Sequence, residues 1–299
     1  MGEPRAGRPE WPTLAMLAAC YAAWGLATTW GAALWLPLGI IGAGVAIALH
    51  SSLSHEALHG HPTRSPLLNE ALVWPALGLV VPYGRFRDTH LAHHRDEHLT
   101  DPYDDPETNY IDPAVWARRP GWWRAVLRAN NTLLGRVVLG PWLGMGRFLR
   151  DDLAALRAGD RAVRDAWLRH VPAAALVLVW VAAAPMPLWA YALAVWIGLA
   201  LIKIRTFAEH RAHERARGRT VVIEDRGPLA WLFLNNNLHV VHHVHPGLPW
   251  YRLPARYAAR RAQYLRRNGG YRFGSYREIF RDHLWRAKDP VPHPLRPQG

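Results

Sequence analysis

The sequence predicts an all-α polytopic membrane protein with four transmembrane helices, arranged as two hairpins, and a helical cap. Two long stretches, Trp11–His55 and Val171–Ile202, contain no Asp, Glu, Lys or Arg. Each is long enough for two bilayer crossings, because one crossing takes about 20 residues. In addition, eight histidines form three clusters with helical spacing, at residues 55–59, 90–94 and 239–243. These clusters lie at or beyond the ends of the apolar stretches, so they predict a cap that is organised around histidine.

The first predicted hairpin consists of transmembrane helices at about residues 12–30 and 33–50, with a tight turn at residues 31–33. No helix-breaking residue follows before Gly60. The second helix is therefore expected to leave the membrane and to continue through His59, which would place the first histidine cluster on its extension.

Residues 66–82 are also apolar, but they contain Asn69, Glu70 and a central Pro75. A full crossing here would move everything after it to the opposite side of the membrane. We therefore expect a re-entrant or interfacial segment that does not cross.

The second half of the chain is expected to begin with amphipathic helices and then to form the second hairpin. Residues 114–169 mix Trp, Leu and Arg, as helices on a membrane face do, although residues 150–169 suit an ordinary solvated helix as well. The third and fourth crossings are predicted at about residues 167–184 and 187–207. A Pro-rich tail at about residues 288–299 is expected to be loosely ordered.

The distribution of charge predicts the orientation in the membrane. The formal net charge is +13, yet the short loops at residues 28–33 and 185–187 contain no Lys or Arg. Loops rich in Lys and Arg stay in the cytoplasm, so both termini and all histidine clusters are predicted to be cytoplasmic. This placement explains the basic composition, and no nucleic-acid partner is expected. The whole chain, residues 1–299, is expected to form a single integral-membrane domain, and its one cysteine, Cys20, to be a buried small hydrophobe.

The histidine clusters indicate metal binding. Spacings of i, i+3 and i+4 place the rings of each cluster on one face of a helix. Protonated rings at that spacing would repel one another, and neutral rings would be hard to satisfy with hydrogen bonds in a core. The clustered residues are His55, His59, His90, His93, His94, His239, His242 and His243. Structural roles are expected for the isolated histidines, which are His50, His61, His98, His170, His213, His245, His283 and His293.

The number of histidines favours two metal ions. Imidazole suits Zn, Cu, Fe and Ni, but a zinc site uses about four ligands, and a catalytic zinc site about three. Eight or nine candidates are enough for two ions with open positions. This count favours a di-iron centre that activates oxygen.

The first cluster also has an alternative interpretation. His55-Glu56-Ala57-Leu58-His59 matches HExxH, the motif of zinc metalloproteases in which the glutamate is the general base. Membrane-embedded zinc proteases exist, so a protease is an alternative to the di-iron enzyme that must be tested. The motif lacks the longer HExxHxxGxxH pattern, and a protease would leave the other two clusters without a role.

Together the three clusters resemble the histidine boxes of the membrane fatty acid desaturase/hydroxylase superfamily. HEALHG, HLAHH and HVVHH occur in the order of that superfamily and are flanked by two helical hairpins. The resemblance covers the chain from about residue 30 to residue 290. Within the superfamily, HEALHGHPTR, DPYDDPE and NLHVVHHVHPGLPW are most similar to bacterial fatty acid and rhizobitoxine-type desaturases, and more distantly to carotenoid ketolases.

The resemblance implies two iron ions held by the eight clustered histidines, with O2 as co-substrate. It implies one further ligand just after the last membrane helix, where this chain has His210. Some relatives have an Asn one turn earlier that holds a water on one iron, whereas this chain has Thr206. The implied metal ligands are His55, His59, His90, His93, His94, His210, His239, His242 and His243.

The resemblance implies oxygen-dependent desaturation of a fatty acyl chain or a similar lipid in a bacterial inner membrane. Hydroxylation, ketolation and desaturation of a small rhizobitoxine-type molecule are alternatives within the same superfamily. The sequence shows no fused electron-transfer domain, so a separate ferredoxin-like donor is expected, and an Arg-rich cytoplasmic face suits an acidic donor. A metal transporter would need charged residues inside its spans, and the two uncharged stretches argue against one.

Metal-bound histidines usually donate their second ring nitrogen to a nearby acceptor. Candidates for that role are Glu56, Asp101, Asp104, Asp105, Glu209 and Asn236. For any single one of them, helix capping or turn formation is an equally good interpretation.

Overall fold

The computed structural model describes residues 9–95 and 97–296, and most of them are helical. The helices are α1 (Trp11–Leu26), α2 (Ala32–Leu34), α3 (Leu36–Leu58), α4 (Pro66–Leu72), α5 (Tyr83–His93), α6 (Pro113–Ala117), α7 (Gly121–Asn130), α8 (Leu133–Val138), α9 (Gly140–Arg157), α10 (Arg161–Ala183), α11 (Leu188–Ala208), α12 (Pro228–Leu232), α13 (His239–Val244), α14 (Leu253–Arg267) and α15 (Tyr276–His283). A π-helical segment, Ala27–Gly31, joins α1 to α2, and short 3-10 helices lie at Ala216–Gly218 and Trp250–Arg252. The strands β1 (Val222–Ile223) and β2 (Arg272–Phe273) pair in parallel, with Val222 opposite Arg272.

Three helices of the described chain, α3, α10 and α11, are long and apolar enough to cross a membrane. They correspond to the second, third and fourth predicted crossings. Helix α10 begins at residue 161 rather than 167, because the Asp160 carboxylate accepts hydrogen bonds from the backbone N–H groups of Ala162 and Val163. As expected, α3 continues past the apolar stretch and ends at Leu58, with His59 at its C-cap.

The first predicted crossing has a different form from the expected single helix. Helix α1 is only 16 residues long, but helical structure continues through the π-helical segment and α2 to Leu34. The turn predicted at residues 31–33 is wrong, because Gly31 is helical (φ −60°) and the chain turns at Trp35 (φ −160°, ψ 107°). Pro37 suits a helix that begins here, since proline is readily accommodated in the first turn of a helix and lies there in α3.

Residues on either side of the first hairpin meet at its open end. The backbone N–H of Glu10 donates to the carbonyl of Pro62 at 3.0 Å, and Nδ1 of His61 lies 2.8 Å from the Glu10 carboxylate. The beginning of α1 therefore lies beside the end of α3, and the two helices run antiparallel.

Two glycines allow α3 and α11 to pack closely. A Cβ added at Gly44 would lie 2.6 Å from Cγ2 of Ile197, and one at Gly198 would lie 2.6 Å from Cγ2 of Ile47. Each glycine thus accommodates an isoleucine of the other helix. This reciprocal contact aligns the two helices, which both end on the side of the histidines.

Exposed apolar side chains on the hairpins match a lipid environment. Val171 and Val179 on α10 are 60% and 68% exposed. At the hairpin tips, Trp30, Trp35 and Trp189 are also exposed, where indole rings favour the membrane–water interface.

The apolar residues 66–82 do not form a crossing helix, as expected. Only α4, of seven residues, forms there, followed by irregular chain up to Pro82. Residues 114–169 form short helices and α9, and they continue into the first turns of α10.

The Pro-rich tail is more ordered than predicted. The N–H of Ile111 donates to the carbonyl of Val291 at 3.0 Å, and the N–H of His293 donates to the carbonyl of Ile111 at 2.8 Å. Arg296 pairs with Asp101. The expectation of loose order is therefore wrong for residues 288–296, because proline-fixed extended backbone pairs with another extended segment here. Residues 297–299 lie outside the described residues.

Candidate metal centre

All nine histidines predicted as ligands come together at one end of the hairpins. His55 and His59 lie at the end of α3, and His210 follows directly after α11. The second cluster ends α5, and the third forms most of α13. The helical spacing places the rings of each cluster on one face of its helix. The ends of α3 and α5, the short helix α13 and the loop after α11 therefore meet at a common centre.

The nine side chains form two adjacent groups. In each group, one ligand atom per residue lies within 4.8 Å of every other. His94 and His243 link the groups, with stacked rings whose centroids are 4.3 Å apart. The first group is His55, His59, His90, His94 and His242, and the second is His93, His210, His239 and His243.

The facing nitrogens have the spacing of ligands on one ion. Nε2 of His94 lies 2.9 Å from Nε2 of His90 and 3.0 Å from Nε2 of His242. In the second group, Nε2 of His210 lies 2.9 Å from Nε2 of His93 and 3.1 Å from Nε2 of His239. Two nitrogens that bind one ion at about 2.1 Å, at right angles to each other, are about 3 Å apart.

The donor set fits two metal ions. The ring nitrogen Nε2 of His55 is buried and has no hydrogen-bond partner among the described residues. A buried polar atom of this kind is costly unless something binds it. Neutral imidazoles are good ligands for first-row transition metals, and the two groups provide five and four of them.

Three of these rings have an acceptor at the nitrogen that faces away from the centre. Nδ1 of His93 lies 2.8 Å from Asp105, and Nδ1 of His90 lies 2.9 Å from Glu107. Nδ1 of His239 lies 3.1 Å from Oδ1 of Asn236. An Nδ1–H that donates in this way leaves Nε2 as the basic, metal-binding nitrogen.

The other predicted acceptors do not reach a histidine ring of the centre by a hydrogen bond. Glu56 lies 3.8 Å from Nδ1 of His55 and accepts instead from the backbone N–H of Trp250. Glu209 lies 3.7 Å from Nδ1 of His239 and pairs with Arg205. Asp101 accepts from two backbone N–H groups of its own turn, and Asp104 is exposed. The contacts of Asp101 therefore fit its interpretation as a turn-forming residue.

Glu107 is the acceptor that was absent from the predicted set, although it lies in the same acidic loop. His90 and His93 are one helical turn apart, so their acceptors must have a similar separation. Asp105 and Glu107 lie two residues apart in a turn, in which the N–H of Thr108 donates to the carbonyl of Asp105. The position of Glu107 two residues after a predicted acceptor, in the same acidic loop, is the signal that could have identified it.

The electrostatics of the centre differ between the rings. Burial and neighbouring imidazoles, His90 first among them, lower the pKa of His59 to about 2. The pKa values of His210, His239 and His242 are lowered well below normal, mainly by burial. Burial alone would also lower the pKa of His93, but Glu107 and Asp105 outweigh burial and raise it to about 9. The two carboxylates thus stabilise positive charge at this edge of the centre.

Comparison with known proteins agrees with this geometry. The sequence profile described as "Fatty acid desaturase" matches residues 28–275, a range that includes all nine histidines. The chain is also similar to the β-carotene ketolase of Paracoccus sp. (strain N81106 / MBIC 01143), with 24% identity over 231 residues that cover 74% of each protein. The chain therefore belongs to the fatty acid desaturase family, within the membrane fatty acid desaturase/hydroxylase superfamily.

Proposed function

We propose that this protein is an oxygen-dependent di-iron oxidoreductase that introduces a double bond into a fatty acyl chain or a similar lipid. The observation that carries the proposal is the convergence of nine imidazoles into two adjacent groups. The family supports an oxidoreductase of the desaturase/hydroxylase type. Desaturation, iron as the metal and the lipid substrate are the parts that we propose.

Two bound irons would supply the reduction of O2 and the removal of hydrogen from an unactivated C–H bond. In desaturation, two hydrogens leave adjacent carbons, and two electrons and two protons arrive from outside, so that O2 becomes two waters. The protein fixes the ligands and excludes water from the reacting carbons. Asp105, Glu107 and Asn236 orient three of the ligands through their Nδ1 atoms.

The electrons would come from a separate carrier, for which a ferredoxin-like protein is the expected type. Helix α14 contains five arginines and no Asp or Glu. It packs on α13, which carries the third histidine cluster, through a buried cluster that includes Val241, Leu253 and Tyr257. The basic surface of the cap therefore lies one helix away from the ligands and suits an acidic partner.

Hydroxylation or ketolation is the second candidate reaction, because the related Paracoccus protein is a β-carotene ketolase. Desaturation and hydroxylation both begin with removal of a hydrogen from carbon. They differ in whether an oxygen atom is then added to that carbon. Analysis of the product by mass spectrometry separates them, since desaturation removes two hydrogens and hydroxylation adds one oxygen.

The zinc-protease alternative is disfavoured by the position of Glu56. As a general base, this glutamate would have to face a metal-bound water. Its side chain is instead 4% exposed and accepts a hydrogen bond from the N–H of Trp250. In addition, His55 and His59 share their group with three histidines from other elements.

Metal analysis tests the proposal directly. The purified protein in mild detergent is loaded anaerobically with Fe(II), and the bound iron is measured by inductively coupled plasma mass spectrometry. We expect about two irons per chain, and we expect both to be lost when His90, His93 and His94 are replaced by alanine. The matched control is His98→Ala, which changes a histidine of the same region that is 41% exposed and outside both groups.

One zinc per chain that survives the triple substitution but is lost in His55→Ala would refute the di-iron proposal and favour the protease. With iron in place, the protein is then supplied with O2, a reduced ferredoxin and candidate acyl substrates. A product that has lost two hydrogens supports desaturation.

A further inference from the structure

A large cavity lies against the metal centre. It has a volume of about 540 Å³, within the size range of small-molecule sites. Its walls come from α5, α9, α11 and the acidic loop, and they include His210 and Glu107 at the edge of the centre. Thr206 and Phe207 of α11 line the same space. The cavity thus gives direct access to the second histidine group.

The cavity contains many charged side chains, and its carboxylates are already engaged. Six carboxylates line it, and each accepts from or pairs with another residue. The pairs are Asp105 with His93, Glu107 with His90, Asp151 with Arg150, Asp152 with Arg85, Glu209 with Arg205, and Asp289 with Lys288. Two cations on the wall, Arg136 and Lys203, are in none of these pairs. Within residues 9–95 and 97–296, neither has a carboxylate within 4 Å.

The two remaining cations lie next to each other. Arg136 is 4% exposed, and its hydrogen bonds to the described residues go to neutral acceptors, the carbonyl of Asn130 at 2.9 Å and Oδ1 of Asn131 at 3.2 Å. A Cβ added at Gly140 would lie 3.1 Å from Cδ of Arg136 and 3.3 Å from Cγ of Lys203. The two side chains therefore pass over the same glycine.

A second glycine, one turn further along α9, makes room for the charged end of the lysine. A Cβ added at Gly144 would lie 3.2 Å from Nζ of Lys203. Positive charges on the wall of one cavity repel each other, and buried charge is costly without a counter-ion. Glu107 and Glu209 act on Lys203, and Asp289 acts on Arg136, but only from beyond ion-pair distance. An anion from outside the protein would pair with the two cations directly.

We propose that Arg136 and Lys203 bind the anionic head group, a carboxylate or a phosphate ester, of an amphiphilic substrate whose carbon chain extends towards His210. The proposal rests on the proposed function, because it assigns one end of that reaction's substrate. Lys203 precedes His210 by seven residues, which is about 10 Å along a helix axis. The substrate is therefore elongated, with its head group about two helical turns from the metal centre. An uncharged hydrocarbon would leave the cation pair without a counter-ion.

Calorimetric titration of the purified protein, in neutral detergent and at low salt, tests the site. The probes are octanoate, octyl phosphate and octanol, which share a chain length and differ in head group. We expect at least one of the two anions to bind about tenfold more tightly than octanol. Lys203→Gln should weaken anion binding about tenfold, equivalent to about 1.4 kcal/mol, and leave octanol binding unchanged. The preferred anion identifies the head group.

The matched control is Arg157→Gln, because Arg157 also lies on α9 but is exposed outside the cavity and pairs with no carboxylate of its wall, and this change should leave all three affinities unaltered. If Lys203→Gln does not fold, Lys203→Arg should retain anion binding, and added salt should weaken the wild type's affinity for the anions but not for octanol. Equal affinity for octanol and both anions, or equal losses for all three probes in Lys203→Gln, would overturn the anion site.

The titration uses the protein as isolated and needs no turnover. Charge-dependent binding without any oxidised product would therefore refute the proposed function and retain the anion site. Oxidation of an uncharged chain as efficiently as of its carboxylate would refute the anion site and retain the oxidase.

Discussion

His90 and His93 depend on two acceptors that come from one short stretch of chain. Asp105 has a structural task as well, because it also accepts hydrogen bonds from the backbone N–H groups of Thr100 and Glu107. Glu107 is 27% exposed at its side chain and makes its shortest contact with His90. Glu107 is therefore the residue at which the orientation of a ligand can be changed with least effect on the loop.

We expect Glu107→Ala to lower the affinity for metal about 10- to 100-fold, the usual cost of removing an acceptor behind a histidine ligand. The reason is that Nδ1 of His90 would lose its 2.9 Å partner and the ring its fixed orientation. Titration of the metal-free protein with Fe(II) or Co(II), followed by absorbance, measures the change. The control Asp104→Ala, at a side chain that is 62% exposed in the same loop, should have no effect. Unchanged metal affinity in Glu107→Ala would show that Glu107 does not orient a ligand.

Contacts within one helix could be predicted from the sequence, and contacts between distant segments could not. The spacing of His239, His242 and His243 is a local property of α13, so the sequence alone indicates that they share a face. The pairing of Ile111 with residues 291–293 depends on where the fold places two distant segments, and the composition of the tail gives no sign of it. Arg136 and Lys203 are 67 residues apart, and no sequence pattern predicts that both lie over Gly140.

At the scale of elements, one carboxylate joins α14 to the small sheet. Glu224 follows β1 and accepts hydrogen bonds from Arg261 at 2.6 Å and Tyr257 on α14, and from Arg272 on β2 at 2.7 Å. The hydrogen bond from Arg261 is the main reason that the pKa of Glu224 is lowered from 4.5 to about 2, while burial acts in the opposite direction. The negative charge of this residue thus holds the basic helix against the cap.

We expect Glu224→Gln to lower the melting temperature at pH 7 by about 2–4 °C, the shift that about 1 kcal/mol produces in chains approaching this size. A lowered pKa stabilises the folded state above pH 4.5, and the contribution is lost as the pH falls towards about 2. The difference between variant and wild type should therefore be smaller at pH 3.5 than at pH 7, as measured by thermal unfolding in detergent. Glu214→Gln is the control, because Glu214 is exposed in the same cap and forms no hydrogen bond or ion pair with the described residues. A difference that is independent of pH would contradict the role of the charge.

At the scale of the whole molecule, the geometry of the first hairpin bears on the number of crossings. Helix α3 has the length and composition of a membrane span. The backbone contact between Glu10 and Pro62 places the beginning of α1 level with the end of α3. The helical run from residue 11 to residue 34 then returns over the same distance, although it is interrupted by the π-helical segment. If α3 crosses the membrane, we expect this run to cross it as well, which would add a fourth crossing to the three that length and composition support.

Cysteine labelling can test this topology, since we expect no reaction of the native cysteine with the label. Cys20 is fully buried and its thiol donates to the carbonyl of Ala46, so it should not react with a membrane-impermeant maleimide. We expect Leu34→Cys and Pro187→Cys, at the two hairpin tips, to be labelled in intact bacterial cells. Ala258→Cys, on the exposed side of α14, should be labelled only after the membrane is permeabilised. Labelling of Pro187→Cys but not of Leu34→Cys would mean that the first hairpin does not cross the membrane. Labelling of Ala258→Cys in intact cells would place the metal centre on the outer side of the membrane, where a cytoplasmic electron carrier could not reach it.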